Sequence, residues 1–331
     1  MNVSIFFNSY AGMYVAQSFC HAVLAAVIAD RAMKAWKIYD PLVRQRFRLI
    51  VILFPIFSFP FYQLINPDRS SAQFRLNALF DVNRWLNLEI WGILPIGLFV
   101  LIMLACTTLV FLFQEMIPIL KHTLKSRPAE QEGTRRGPDP FVESASKALS
   151  IEPPEVLFID DEEPVLFSTA GKEPAIYIST GLAAQLKEDQ MQAALAHEIA
   201  HIARNKRPLL MVVFILRVLM FFNPAVLIKF RRAVRDEEKI CDDIAVSLTQ
   251  NPAALAGALE RFYHRPEEVL GLDRQKLPAF ANSLEEYNHN LHLESRITRL
   301  KQASTEREQL GGMVPFTATL TVIAVLNYFV V

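Results

Sequence analysis

Three residues within five positions have the types and spacing to bind a metal ion and move a proton: His197, Glu198 and His201, in His-Glu-Ile-Ala-His. On an α-helix, positions i and i+4 lie one above the other on the same face. His197 and His201 can therefore offer two imidazole nitrogens to one ion, with the Glu198 carboxylate beside them. Such a carboxylate can take a proton from a water that a bound cation has acidified. Two imidazoles do not complete a hydrolytic site, so a third ligand must come from elsewhere. The run Arg235-Asp-Glu-Glu-Lys-Ile-Cys-Asp-Asp243 offers one. Glu238 and Asp242 stand at i, i+4, which suits one carboxylate as ligand and the other as acceptor for the far ring N–H of a metal-bound His. Glu237 is the rival, with Cys241 as its i+4 partner. Alone, a charge run is usually a solvated face; the upstream His pair turns the reading toward Glu238. Two His and one carboxylate with an open position suit zinc at a hydrolytic centre.

The stretch carrying the motif reads as helix. Gln192, Ala193, Ala194, Leu195 and Ala196 favour it, and no Gly or Pro occurs from Leu182 to Arg207. Glu188 and Asp189 near its start and Arg204, Lys206 and Arg207 near its end match the helix dipole. Upstream, Phe141–Ser150 reads as a short helix, and Val156–Asp160, Val165–Ser168 and Ala175–Ser179 read as strands. The last of these, directly before the motif helix, is a candidate edge for an extended peptide. Pro252–Tyr263 reads as a core-facing helix, with Leu255, Leu259 and Phe262 on one stripe.

The remainder of the chain is apolar. Hydrophobic residues make up 52% of the 331, and mean hydropathy is +0.23. Lys+Arg and Asp+Glu number 34 each, which removes any global bias toward nucleic acid. Cys20, Cys106 and Cys241 lie far apart, which excludes a Cys-rich zinc site and argues against a disulfide framework. Ala11–Ile28, Leu49–Ile65 and Trp91–Ile119 read as membrane spans, and Gly311–Val331 as a fourth. No basic residue precedes the first span, unlike a cleavable signal peptide. Arg31, Lys34, Lys37, Arg44, Arg46 and Arg48 follow it, so the positive-inside rule places that loop in the cytoplasm and both termini outside. His21 within the first span reads as a packing residue. Ser126–Pro140 reads as a linker. Pro208–Phe230 is apolar apart from Arg217, is broken at Asn223-Pro224 and is flanked by basic residues on both sides. If Glu238 and the two His hold one ion, this stretch cannot be a single crossing and must be a hairpin, re-entrant pair or interfacial helix.

His-Glu-Ile-Ala-His, Phe222-Asn-Pro224 and Glu238-x-x-Cys241-Asp242, with Ile176–Leu182 (IYISTGL) upstream, resemble the M56 membrane metallopeptidases, the family of the BlaR1/MecR1 antibiotic-signalling receptors. The order of three spans, a cytoplasmic zinc domain and one more span is similar too, so the resemblance covers most of the chain. It implies a gluzincin: His197, His201 and Glu238 as zinc ligands, Glu198 as general base, and Asp242 supporting a ligand from behind. The chain departs from the receptors in ending after the last apolar segment without a penicillin-binding domain, so β-lactam sensing is not expected.

The expected architecture is a multi-pass α-helical membrane protein with a cytoplasmic α+β gluzincin (zincin-like) metalloprotease domain. Residues 1–125 would hold three transmembrane helices, 126–140 a linker, 141–310 the peptidase domain with a membrane-associated hairpin near 208–230, and 311–331 the last span. The expected activity is zinc-dependent endoproteolysis at the cytoplasmic face of a bacterial inner membrane, in regulatory or signalling proteolysis. Its partners would be the lipid bilayer and a protein or peptide substrate: a repressor, another membrane protein or the chain itself, with Arg135-Arg136 as one conceivable self-cleavage point. No nucleic acid is expected. His264, His289, His292 and Arg296 are candidate donors to a tetrahedral oxyanion. Two alternatives stand beside this reading. One is an M48-like (HtpX type) quality-control protease, which normally has Ala where Cys241 stands. The other is a non-catalytic, zinc-stabilised membrane transducer, against which the presence of Glu198 argues.

Overall fold

A computed structural model describes residues 3–117, 134–135, 139–169, 173–205, 209–262, 292–302 and 312–331. The chain divides into two compact units: Met1–Arg127, Leu209–Glu237 and Gln309–Val331 form the first, and Pro128–Pro208 with Glu238–Glu308 form the second.

In the first unit, a short helix α1 (Val3–Asn8) leads into α2 (Tyr10–Ala35), capped where Ser9 accepts from the Gly12 N–H. Helix α3 (Pro41–Ile65) starts with Asp40 accepting from the Leu42 N–H and with Pro41 in its first turn, where a missing N–H costs nothing. Pro55 and Pro60 lie inside α3 without ending it. After a 3-10 turn (Pro67–Ser70), the short helices α4 (Ala72–Leu76) and α5 (Val82–Leu86) precede a small hairpin of β1 (Glu89–Ile90) and β2 (Leu94–Pro95). The third apolar helix, α6 (Ile96–Phe111), therefore starts later than the expected Trp91. Trp91 and Gly92 take positive φ values of 56° and 69° to turn the hairpin, a backbone state no helix tolerates. A π turn over Leu112–Met116 prolongs α6. Among the described residues three helices, Tyr10–Ala35, Pro41–Ile65 and Ile96–Gln114, are long and apolar enough to cross a membrane.

The segment expected as a hairpin forms helix α10 (Leu209–Leu219), a tight turn and the start of a 26-residue helix, α11 (Pro224–Thr249); the helices between α6 and α10 in the chain, α7 (Pro140–Ala148), α8 (Thr180–Gln185) and α9 (Glu188–Asn205), belong to the second unit. Asn223 Oδ1 accepts from the N–H groups of Ala225 and Val226, and Pro224 opens the first turn, so Asn223-Pro224 ends one helix by starting another. Val213, Met220, Phe222 and Val226 pack with Ala22, Ile52 and Leu104 in the first unit's core. Lys229 pairs with Asp30, and Arg48 with Asp236. The C-terminal helix α14 (Met313–Tyr328) is apolar but has 16 residues, about 24 Å, short of the ~20 residues of an ordinary crossing. Its end is fastened by the fully buried Arg69, which donates to the carbonyls of Asn327, Tyr328 and Val330 and lies over the rings of Tyr62 and Tyr328. Val330 bridges to Phe80, so the chain end pairs with the segment between α4 and α5. His21, a buried residue of α2, contacts Ser58 and the Val330 carbonyl, as a packing group would.

The second unit is α+β. Its sheet has the order β3-β4-β6-β5, with β3 (Thr134–Arg135), β4 (Glu155–Ile159), β5 (Leu166–Thr169) and β6 (Ala175–Ser179). β4 runs parallel to β6; β3 and β5 are antiparallel to their neighbours. Two residues of the stretch read as a linker thus join the sheet, while Arg136 lies outside the described residues. Helix α7 (Pro140–Ala148) begins at an Asp139 cap, and α8 (Thr180–Gln185) at a Ser179 cap. The motif helix α9 (Glu188–Asn205) begins where Gln190 reaches back to accept from the Lys187 N–H. One face of α9 (Leu195, Ile199, Ile202) packs with Ile176 of β6 and with Val142 and Ala145 of α7. Ala193 and Ala196 pack instead with α12 (Pro252–Leu259), Ala245 of α11, and Leu293, Ile297 and Leu300 of α13 (residues 292–301). Small alanines on that side let three helices approach one another. Helix α9 is clamped from both sides, and its remaining face carries the chemistry.

Candidate active site

That face opens into a cleft of about 360 Å³. His197, Glu198 and His201 from α9, Glu238 from α11 and Arg296 from α13 line one part of it. Apolar side chains line the rest, among them Val165, Leu166, Leu255, Leu259 and Leu293. His197 Nε2 and His201 Nε2 are 3.1 Å apart, and Glu238 places Oε2 3.7 Å from the first and Oε1 3.6 Å from the second. Ligands at about 2.0–2.1 Å around a tetrahedral zinc stand roughly 3.3 Å from one another. The two imidazole nitrogens stand close to that separation, each has one Glu238 oxygen slightly beyond it, and the three donor types suit zinc. Glu237 is not part of this group; it accepts from Gln45 Nε2 at 2.6 Å.

Asp242, one helical turn beyond Glu238, is fully buried and places Oδ1 3.2 Å from His197 Nδ1. A proton on Nδ1 faces this carboxylate and leaves the Nε2 lone pair for a metal. Behind His201 the corresponding group is a thiol: Cys241 Sγ lies 3.5 Å from His201 Nδ1. Arg296 donates through Nε and Nη2 to the two oxygens of Asp242 at 2.9 and 2.7 Å, and through Nη1 to Glu238 Oε2 at 2.9 Å. Its Nη2 also lies 3.2 Å from His197 Nε2. Burial opposes charge on His197, but the Asp242 and Glu238 carboxylates outweigh it and hold its pKa up at about 9. Burial likewise opposes ionisation of Asp242 and Glu238; His197 and Arg296 prevail at Asp242, taking it down to about 2, and His197, His201 and Arg296 hold Glu238 well below the ordinary carboxylate range.

Glu198, 8% exposed, accepts a 2.6 Å hydrogen bond from the Ser168 hydroxyl of β5. Ser168 gave no signal in the sequence, because a lone Ser in a short strand belongs to no periodic pattern. Arg296 stood there only among candidate oxyanion donors; the structure sets it as a clamp on Asp242 and Glu238. His292, another of those candidates, is absent from the cleft lining among the described residues, and His264 and His289 lie outside them. The strand proposed as a peptide-accepting edge, Ala175–Ser179, is flanked by β4 and β5 and cannot receive another strand. Among the described residues the edge next to the cleft is β5.

A family model described as BlaR1 peptidase M56 matches residues 70–253, more than half of the chain, including His197, Glu198, His201, Glu238 and Asp242. Curated relatives include a protease HtpX homologue of Acidiphilium cryptum, 30% identical over 47% of this chain and 66% of the relative. A second, from Thermoanaerobacter pseudethanolicus, is 27% identical over 39% of this chain and 58% of its own length. The chain spans less than two thirds of the length of each. No solved structure matches it. On the extent of the family match, the chain belongs to the BlaR1 peptidase M56 family of membrane metallopeptidases.

Proposed function

We propose that this chain is a zinc-dependent endopeptidase of the cytoplasmic face of a bacterial inner membrane, acting in regulatory proteolysis. The observation that carries the reading is the convergence of His197, His201 and Glu238 in one cleft with the Glu198 carboxylate. His197, His201 and Glu238 would hold a zinc ion, which would supply Lewis acidity to the scissile carbonyl and acidify water. Glu198 takes the proton of the attacking water and returns it to the leaving nitrogen. Asp242 and Cys241 fix the two ring orientations from behind, and Arg296 holds Asp242 and Glu238 in place.

The substrate is an extended peptide segment laid along β5. Ser179 N–H donates to the Val165 carbonyl at 2.9 Å. By antiparallel alternation, Phe167 and Thr169 also turn their backbone groups toward β6, and Leu166 and Ser168 turn theirs to the open edge. Apolar lining beyond the metal ligands favours apolar side chains next to the cleaved bond.

In the proposed division, residues 1–125 are the membrane part, 126–140 the linker, whose Thr134 and Arg135 pair with β4, and 141–310 the peptidase stretch interrupted by a membrane-associated hairpin near 208–230. Residues 311–331 return to the membrane. Support for both termini lying on one side comes from Phe7, Val82, Leu86 and Val330, which share one apolar cluster. The basic loop after α2 supports a cytoplasmic assignment for the opposite side. The quality-control alternative is favoured by one observation, the name shared by the matched relatives.

The test uses detergent-purified, zinc-loaded chain and a quenched fluorogenic peptide pool with Leu, Phe or Lys beside the central bond. Cleavage of the Leu and Phe peptides, lost in Glu198→Gln with zinc retained, is expected. Undiminished cleavage by Glu198→Gln would refute the base assignment.

A further inference from the structure

The hydrogen bond between Ser168 and Glu198 joins the proposed base to the proposed docking strand. Ser168 sits on β5, the edge strand beside the cleft among the described residues, and donates its hydroxyl to Glu198 Oε2 at 2.6 Å. Its main chain faces the open edge by the alternation above, while its side chain turns toward α9. The neighbouring residue Phe167 points to the other face of the sheet, where its ring stacks on Tyr177 at 4.9 Å between centroids. That stack fixes the pleat, and with it the direction of the Ser168 side chain.

Glu198 has a flexible side chain and two equivalent oxygens. Work at the scissile bond needs one oxygen within hydrogen-bond reach of the water, roughly 2.6–3.2 Å, and the other held still. Ser168 occupies Oε2 and leaves Oε1 for the proton. We infer that Ser168 is a positioning residue: its hydroxyl sets the rotamer of Glu198, and a peptide added to the β5 edge aligns its scissile bond against a base carried by that same strand. Docking and base placement thus share one structural element. This inference rests on the proposed endopeptidase reading.

Removing the hydroxyl frees the carboxylate without touching the metal ligands. In Ser168→Ala, kcat on the fluorogenic Leu peptide falls about ten- to a hundredfold, the loss expected when a reacting group is misplaced by about 1 Å, while KM and zinc content stay at wild-type values. Ser168→Thr keeps the hydroxyl and restores kcat. A purely structural role would instead lower the melting temperature and zinc content in Ser168→Ala.

A second measurement needs no turnover. A leucyl hydroxamate shares a proton with the base when it binds a zinc peptidase centre. Its affinity, read by thermal shift on zinc-loaded protein, falls about tenfold in Ser168→Ala and returns in Ser168→Thr. Wild-type kcat together with wild-type hydroxamate affinity in Ser168→Ala overturns the inference. It leaves the endopeptidase reading standing, provided Glu198→Gln is inactive. Full activity in Glu198→Gln fails the reading itself.

Discussion

Metal affinity should depend steeply on pH, and the magnitude follows from His197. A metal takes the neutral imidazole, so a proton competes for the ring whenever pH lies below its pKa. Asp242 and Glu238 hold that pKa at about 9 against the effect of burial. At pH 7, two units lower, the neutral fraction is about one in a hundred, so this single group weakens apparent affinity on the order of a hundredfold. Below pH 9, affinity therefore falls about tenfold per unit as pH falls, and binding near pH 7 releases about one proton from His197. Chelator competition from pH 6.5 to 9.5 measures the slope; calorimetry in buffers of different ionisation enthalpy counts the protons. In Asp242→Asn the first carboxylate supporting the charged ring is gone, so the slope between pH 7 and 9 flattens. Pure pH independence in the wild type, with no proton released, would refute the reasoning, because His197 would then be neutral despite its two carboxylate neighbours.

Further predictions rest on other contacts. Arg296→Met leaves the fully buried Asp242 without its bidentate partner and should cost about 3–5 kcal/mol in the metal-free protein, read by chemical denaturation; an unchanged midpoint would contradict the clamp. Arg69→Met strips the donors from three C-terminal carbonyls. It should loosen the end of α14 by a few kcal/mol, seen as faster carboxypeptidase trimming at Val331 in micelles. Val165→Arg puts a charge into the partly exposed apolar wall of the cleft. Cleavage of Leu and Phe peptides should fall at least tenfold relative to peptides with Asp or Glu at the same place; an unchanged preference would remove Val165 from the specificity wall.

The parts of this site that were legible in the sequence are those set by local geometry. The i, i+4 spacing places His197 over His201 and Glu238 over Asp242 whatever the tertiary fold, provided both stretches are helical. The break at Asn223-Pro224 was legible for the same reason, since a cap residue followed by Pro starts a helix. Contacts made only by packing were not legible. Ser168 reaches Glu198 because β5 lies at the sheet edge above α9, and Arg296 reaches Asp242 because α13 packs against Ala193, Ala196 and Ala245. The strand order was hidden too: β6 follows β5 in the chain yet lies inside the sheet, since the parallel β4 takes its other edge. Hydropathy extended the third span back to Trp91, because a scale of apolarity cannot register that Trp91-Gly92 turns a hairpin.

The most direct test of the three-ligand metal centre is the zinc content of detergent-purified protein, wild type against Glu238→Ala. The account predicts about one zinc per wild-type chain and little or none in the variant. A full equivalent of zinc in Glu238→Ala, held as tightly as in the wild type, would contradict it.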